Sequence, residues 1–159
     1  MTFLTSDPML KLYTENYRKR LAVSKKFADA YKPEGPGITI SAQMDGYGKQ
    51  LANFVKPTFF LMLDFDHLDE EQMKECLEKL AHDPYVFIEY TTVSGKGIRI
   101  FCRYVELIDD DVTILELFDL MIHKAMDYYT QLLGVKPDKA CTDITRCAAL
   151  AYDSNDRFH

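Results

Sequence analysis

The sequence predicts a single α+β domain whose core follows the order β-α-β-β-α-β. Three observations lead to this prediction. From residue 58 onward, short apolar runs typical of buried strands alternate with two segments of helical periodicity. No internal repeat and no Pro/Gly-rich linker divides the 159 residues. An apolar content of 47%, with 13% aromatic residues, is typical of one folded core. We therefore expect an N-terminal α/β unit at residues 1–56 and a core at residues 57–159.

The N-terminal unit is expected to be a helix followed by a β-hairpin. Asp7-Pro8 is a typical helix start, because proline suits the first helical position. A helix reaching about Tyr31 is indicated by an apolar stripe of Leu10, Tyr13, Tyr17, Leu21 and Phe27. Prolines and glycines at residues 33–37 then end it. Residues 38–42 alternate between apolar and polar side chains as a strand does, and Asp45-Gly46 marks a turn into a second strand.

The core is expected to begin with a buried strand at residues 58–65. Acidic residues after Leu68 favour a helix start, and the apolar face of that helix consists of Met73, Leu77 and Leu80. His82-Asp83-Pro84 ends the helix. A second strand at residues 85–92 and a third at residues 97–105 follow, joined by a tight turn.

A long helix and a last strand complete the core. The acids Asp109 to Asp111 start the helix, and Gly134 follows it as a C-cap. Its apolar face is Ile114, Phe118, Met121, Ala125, Tyr129 and Leu132. Residues 147–152 form the last strand. This order is the ferredoxin-like, or RRM-like, arrangement, in which the first and third strands are antiparallel neighbours and the fourth strand flanks the first.

Two aspartates, Asp64 and Asp66, end the first core strand. Side chains alternate along a strand, so both lie on one face with their Cα atoms roughly 6.5 Å apart. An ionised carboxylate in such an apolar setting is costly unless it is paired or bound to a cation. The pair therefore favours a metal site. The competing interpretation is a strand end that emerges into solvent, with Asp66 capping the helix that follows.

The turn Ser94-Gly95-Lys96-Gly97 leads into the third strand and to Arg99. Its glycines allow positive φ, so that consecutive backbone N–H groups can point at one anion. Lys96 and Arg99 would add charge-assisted hydrogen bonds to phosphate oxygens. The alternative is a plain hairpin turn with exposed basic residues. Because the expected topology places this turn beside Asp64 and Asp66, the sequence favours an anion site.

Asp143 precedes the last strand and is expected at the same edge of the sheet. With Asp64 and Asp66 it would hold two divalent cations about 3.5–4 Å apart, the arrangement that clamps the attacking and leaving oxygens in phosphoryl transfer. Arg146 would stabilise charge on a phosphate. A capped turn with a local Asp–Arg ion pair is the alternative.

Charge and cysteine content limit the function classes. The net charge of −6 counts against a large nucleic-acid surface. A basic cluster in the first segment, typical of a solvated helix face, consists of Lys11, Arg18, Lys19, Arg20, Lys25 and Lys26. No stretch approaches the length of a membrane span, and residues 1–7 lack the features of a signal peptide. Four cysteines without CxxC spacing indicate buried thiols in a reducing, cytoplasmic compartment.

Together these segments resemble the catalytic core of the archaeo-eukaryotic primase superfamily, the primase-polymerases, over roughly Tyr17 to Asp153. That family shows an hhhDhD strand, an SGxGxH turn-strand and a later hydrophobic-Asp motif. The corresponding segments here are FLMLDFD at Phe60–Asp66, SGKGIR at Ser94–Arg99, and Asp143. The closer likeness is to the VirE N-terminal domain family of bacterial mobile elements and phages, which has a similar D-x-x-C-x-D-x-T-R stretch.

The resemblance implies a primase/polymerase-like nucleotidyltransferase domain of a mobile-element or phage replication protein. It would transfer a nucleotide from an NTP or dNTP to a DNA primer on its template, with two Mg²⁺ or Mn²⁺ ions. The residues implied in catalysis and metal binding are Asp64, Asp66 and Asp143. Those implied in nucleotide binding are Ser94, Lys96, Arg99 and Arg146. The chain lacks a P-loop, so a helicase would be a fused or separate partner, and its end at His159 suggests a fragment of a longer protein.

Arg99 leaves the enzymatic activity open, because the primase pattern has His at this position. Arginine binds phosphate but stays protonated and cannot shuttle a proton. A second hypothesis is therefore a catalytically degenerate module that binds nucleotide or nucleic acid for a helicase. A third is a plain ferredoxin-like interaction domain, whose acids serve only solubility.

Overall fold

Five α-helices and eight short β-strands make up the part of the chain that the structure, a computed structural model, describes: residues 3–46, 48–104, 112–154 and 157–158. The helices are α1 (Phe3–Ser6), α2 (Pro8–Val23), α3 (Lys25–Tyr31), α4 (Glu70–Leu80) and α5 (Ile114–Leu133). The strands are β1 (Gly37–Thr39), β2 (Ala42–Met44), β3 (Phe54–Pro57), β4 (Phe60–Asp66), β5 (Val86–Thr91), β6 (Gly97–Arg103), β7 (Cys147–Ala149) and β8 (Arg157–Phe158). They form three antiparallel sheets, which confirms the predicted α+β class.

The largest sheet has the strand order β4-β6-β5-β8. The predicted antiparallel pairing of the first and third core strands is confirmed, since β4 and β6 pair along their full length. In this register Asp64 lies opposite Arg99, and Asp66 lies opposite Gly97. Tyr90 of β5 lies on the other side of Arg99. Strand alternation therefore places Asp64, Arg99 and Tyr90 side by side on one face of the sheet.

The opposite face of this sheet carries the apolar core. Its fully buried side chains include Leu63, Ile98 and Ile100. Leu61 and Cys102 on the same face line a small cavity together with Tyr129 of α5. Helix α5 packs beside α4. The sheet thus has an apolar face under the two core helices and a second face, which bears the charged residues, toward the N-terminal unit.

The prediction that the last strand flanks the first core strand is wrong. β7 pairs instead with β1 of the N-terminal unit, and β8 lies at the far edge of the sheet beside β5. The β1–β7 contact depends on Gly37, because a Cβ atom there would lie 2.6 Å from the Cys147 sulfur. The outer edge of β4 accepts another partner: the backbone N–H of Asp138 donates to the carbonyl oxygen of Asp64 at 2.8 Å.

The single N-terminal helix predicted to reach Tyr31 is also divided. Ser24 has extended backbone angles (φ −165°, ψ 149°) and separates α2 from α3. Its hydroxyl accepts a hydrogen bond from the Phe27 backbone N–H at 3.1 Å, so serine acts as the N-cap of α3. The strand predicted at residues 38–42 is likewise two strands, because β1 pairs with β7 while β2 forms the expected hairpin with β3.

The two core helices begin at capping boxes. Asp69 caps α4 and exchanges hydrogen bonds with Gln72, so the interpretation of Asp66 as the cap is wrong. Thr113 and Glu116 form the same arrangement at the start of α5. The predicted start at residues 109–111 lies outside the described residues. Gly134 ends α5 with a φ of 76°, which confirms the predicted C-cap.

None of the helices described here is long and apolar enough to cross a membrane.

Asp83 joins the two core helices to β5. Its carboxylate is buried and accepts hydrogen bonds from the backbone N–H groups of Tyr85 and Val86. It also accepts hydrogen bonds from the hydroxyls of Tyr128 at 2.6 Å and Tyr129 at 3.0 Å. Both tyrosines belong to α5. One side chain therefore satisfies four donors at the point where α4, α5 and β5 meet.

Asp83→Ala is expected to lower the free energy of unfolding by about 2–4 kcal/mol, because it leaves the buried donors of Val86 and Tyr129 without an acceptor. Urea unfolding followed by circular dichroism measures this loss. Asp127→Ala, at an exposed position of α5, is the matched control and should change stability by at most about 0.5 kcal/mol. Equal effects of the two substitutions would contradict the structural role of Asp83.

Candidate functional site

A polar cavity of about 450 Å³ opens at the end of β4, between the β5–β6 turn, the N-terminal helices and β7. We call it the basic cavity. The sequence-predicted residues that line it are Asp64, Asp66, Ser94, Lys96, Arg99 and Arg146. The N-terminal unit contributes Tyr17, Leu21, Lys25, Asp29 and Lys32. The volume lies in the range of ordinary small-ligand sites.

The β5–β6 turn forms one rim of this cavity, but the prediction that consecutive N–H groups of the turn point at one anion is wrong for Gly95 and Lys96, whose N–H groups bond within the turn. Gly95 has a φ of +74°, and its backbone N–H donates to the Thr92 carbonyl oxygen. The Ser94 hydroxyl accepts a hydrogen bond from the Lys96 backbone N–H at 3.2 Å. A Cβ atom at Gly97 would lie 2.5 Å from the Phe65 carbonyl oxygen, so only glycine fits there. Ser94 therefore shapes the turn and holds Lys96 at the cavity.

Arg18 of α2 holds the same turn from outside. Its Nε donates to the Val93 carbonyl oxygen at 3.2 Å, and an Nη donates to the Thr92 carbonyl oxygen at 3.4 Å. The sequence placed Arg18 only in a basic cluster on a helix face. Its contact with the turn depends on how α2 packs, which the spacing of residues does not reveal.

Asp64 and Arg99 form a buried ion pair on the wall of the cavity, with side chains 4% and 8% exposed. Arg99 also donates to the Ala149 carbonyl oxygen at 2.6 Å and to the Tyr90 hydroxyl at 3.4 Å. Burial alone would lower the pKa of Arg99, but Tyr90 and Asp64 outweigh it, and the net pKa is raised. Within the described structure, one carboxylate oxygen of Asp64 and the Nε of Arg99 have no hydrogen-bond partner.

Asp66 differs from Asp64 because it is exposed at the cavity mouth. Desolvation by the cavity wall raises its pKa, and the negative charge of Asp64 raises it further. Arg99, His67 and Lys32 act in the opposite direction, but the net pKa stays above the ordinary value. The two aspartates of the strand therefore have different surroundings: one is held by arginine, and the other favours its protonated form more than a free aspartate does.

Asp143 does not line the cavity. It is exposed, and one of its carboxylate oxygens accepts hydrogen bonds from the backbone N–H and the hydroxyl of Thr145. Arg146 does line the cavity and pairs with Asp138 at 3.2 Å. Among the described residues, no group of three His, Cys, Asp or Glu side chains is placed to hold a metal ion. The two-metal site stays a prediction, and the described residues do not assemble its three acids.

Lys25 and Lys32, which the sequence motifs did not indicate as site residues, add positive charge to the cavity. Lys25 lines the cavity and pairs with Asp29 at 2.6 Å. Lys32 lies in a short 3-10 turn and also faces the cavity. Within the described part of the chain, neither Lys32 nor Lys96 makes a salt bridge. The basic cluster that contains Lys25 was a weak indication that this residue lines the site. Lys32 stands next to Pro33 at the end of the helix, and nothing in the sequence around it indicates a place in the site.

The family model for BT4734-like N-terminal domains matches residues 30–158. The chain belongs to this family. Its expected membership of the primase superfamily, and of the VirE N-terminal domain family, is wrong, because the family that matches is a different one. No curated protein and no solved structure matches the chain. The matched range includes β4, the β5–β6 turn and Arg146, while most of the N-terminal helices that close the cavity precede it.

Asp64→Ala is expected to cost about 3–5 kcal/mol of stability, because it leaves the charge of Arg99 buried without a partner. The double variant Asp64→Leu with Arg99→Met removes both charges and should recover most of that loss. Chemical denaturation of both variants measures the difference. A double variant as unstable as the single one would show that the pair is not the source of the cost.

Asp66→Asn is expected to raise stability at neutral pH. Since the folded pKa of Asp66 is raised, the folded state binds the proton more tightly than the unfolded chain, whose pKa is about 4. Stability contributed by this proton is present at low pH and is lost as pH rises through the folded pKa. Urea midpoints measured from pH 3 to pH 8 should show a smaller decline for Asp66→Asn than for the wild type. Asp127→Asn, exposed in the middle of α5, should leave the profile unchanged.

Proposed function

We propose that this protein binds a nucleotide in the basic cavity and acts as a binding module rather than through two-metal catalysis. The observation that carries the proposal is the convergence of Lys32, Lys96 and Arg146 around a glycine turn, at a cavity of about 450 Å³. Positive side chains that line one opening are a usual feature of a phosphate site. A volume in this range suits a ligand larger than phosphate alone.

The opposite wall of the cavity suits the rest of a nucleotide. Leu21 of α2, which is half-buried, provides apolar surface next to the charged rim, and the buried Tyr17 and Val93 also line the cavity. A ring system can pack on this apolar surface while its phosphate meets the lysines. Arg18 fixes the distance between these two walls, because it joins α2 to the turn. The N-terminal unit thus provides the apolar half of the proposed site.

Metal-dependent nucleotidyl transfer is the second candidate, and one observation favours it: Asp64 and Asp66 both line the cavity. The donor set does not fit a two-metal centre, however. Asp64 is engaged by Arg99, and Asp143 is bound to its own Thr145. We derive no catalytic step from these residues.

The module would supply nucleotide or DNA to a fused or separate helicase of a replication protein in the cytoplasm.

Calorimetric titration with deoxyadenosine mono- and triphosphates, each with and without Mn²⁺, tests the proposal. We expect at least one nucleotide to bind the wild type, and Lys96→Ala to weaken its binding about ten-fold through the loss of a charge-assisted contact. Lys56→Ala, exposed on β3 and outside the cavity, is the matched control and should bind as the wild type does.

A parallel assay for primer extension with Mn²⁺ separates the candidates. Binding without extension supports the binding module. Extension that is lost in Asp66→Ala would favour nucleotidyl transfer instead. If no nucleotide binds under any condition, the chain is better described as an interaction domain, and the proposal fails.

A further inference from the structure

The net charge of the basic cavity limits which nucleotide it can hold. The cationic side chains that line it are Lys25, Lys32, Lys96, Arg99 and Arg146. The lining carboxylates are Asp29, Asp64 and Asp66. With His67 neutral, the lining residues carry a surplus of two positive charges. The surplus falls to one when Asp138, the partner of Arg146, is included.

The Asp64–Arg99 ion pair makes it unfavourable for a metal ion to bind at Asp64 and add to the positive charge of the cavity. A divalent cation at Asp64 would have to compete with a guanidinium that is 8% exposed and is held by the Ala149 carbonyl oxygen as well. Separating the two would leave Arg99 charged and unpaired inside the protein, which is strongly unfavourable. Of the two other lining carboxylates, Asp29 pairs with Lys25 and Asp66 has a raised pKa, which leaves a weak ligand set for Mg²⁺ or Mn²⁺.

We propose that the basic cavity takes a phosphate monoester, either a nucleoside monophosphate or the phosphorylated end of a nucleic-acid strand, and binds it without a metal ion. This inference rests on the proposed nucleotide site. A phosphate monoester carries about −1.5 to −2 charges near pH 7, which is close to the positive surplus of one to two charges in the cavity. A triphosphate adds the charge of two more phosphate groups and normally brings Mg²⁺ to offset it.

Lys32 and Lys96 provide the positive charge that we expect to bind the phosphate monoester. They come from different parts of the chain, the N-terminal unit and the β5–β6 turn, and both lack a salt-bridge partner among the described residues. The charges of Lys25 and Arg146 are partly offset by the carboxylates of Asp29 and Asp138. Two ammonium groups without salt-bridge partners at one cavity provide the charge that a single dianionic group needs.

Calorimetric titrations with dAMP, dATP and inorganic phosphate, each in EDTA and in Mn²⁺, test this inference. We expect dAMP to bind in EDTA, Mn²⁺ to leave its affinity unchanged, and dATP to bind no more tightly than dAMP. Lys32→Ala and Lys96→Ala should each weaken dAMP binding about ten-fold, while Lys56→Ala should not. Inorganic phosphate should bind more weakly than dAMP, since it makes no contact with the apolar wall.

A second arm distinguishes the source of the monoester. A short oligodeoxynucleotide with a 5′-phosphate is compared with the same strand carrying a 5′-hydroxyl, and either a 5′-phosphate preference or tighter binding of free dAMP supports the inference. Tight dATP binding that requires Mn²⁺ would overturn it and leave nucleotide binding intact. If dAMP, dATP and the 5′-phosphorylated strand all fail to bind in any condition, the proposed nucleotide site itself fails.

Discussion

The buried pair of Asp64 and Arg99 is the interaction on which the rest of the site depends. Cross-strand register places the two side chains opposite each other in the middle of a sheet face that packs against the N-terminal unit. Neither charge is tolerable there alone. Through Arg99 the pair also contacts the carbonyl oxygen of Ala149, and so connects the sheet to β7. Because β7 pairs with β1, the pair is also linked to the N-terminal unit, and Asp64 is engaged by Arg99 rather than free for a ligand.

The basic cavity is a composite of two parts of the chain that have different roles. The sheet contributes a rigid turn whose shape follows from Gly95 and Gly97. The N-terminal helices contribute the apolar wall and Lys32, and Arg18 fixes them to the turn. In the proposed site, each part supplies a lysine for the phosphate, and the N-terminal helices add the apolar wall. The family match covers the first half more completely than the second.

Features that depend on local chemistry could be predicted from the sequence, and features that depend on distant packing could not. The alternation of β4, the glycine turn and the Gly134 cap follow from residues close in sequence, and the structure has all three. The partner of β7 depends on contact with Gly37, which no pattern within the last strand reveals. Asp143 has the expected position in the chain, yet Thr145 two residues later engages its carboxylate. The motifs predict the wrong family because each is short and its residues also have structural roles, in the turn for Ser94 and in the buried ion pair for Asp64 and Arg99.

The pairing of Gly37–Thr39 with Cys147–Ala149 has a consequence for the order of folding. The cavity closes only when segments from the two ends of the sequence meet, whereas the β5–β6 hairpin joins neighbours in the chain. Long-range pairing costs loop entropy before it brings any contact energy, so the hairpin is expected to form early and the β1–β7 pair late. The proposed ligand site would then be the last part of the molecule to form, so a ligand that binds there would bind only chains that have completed folding.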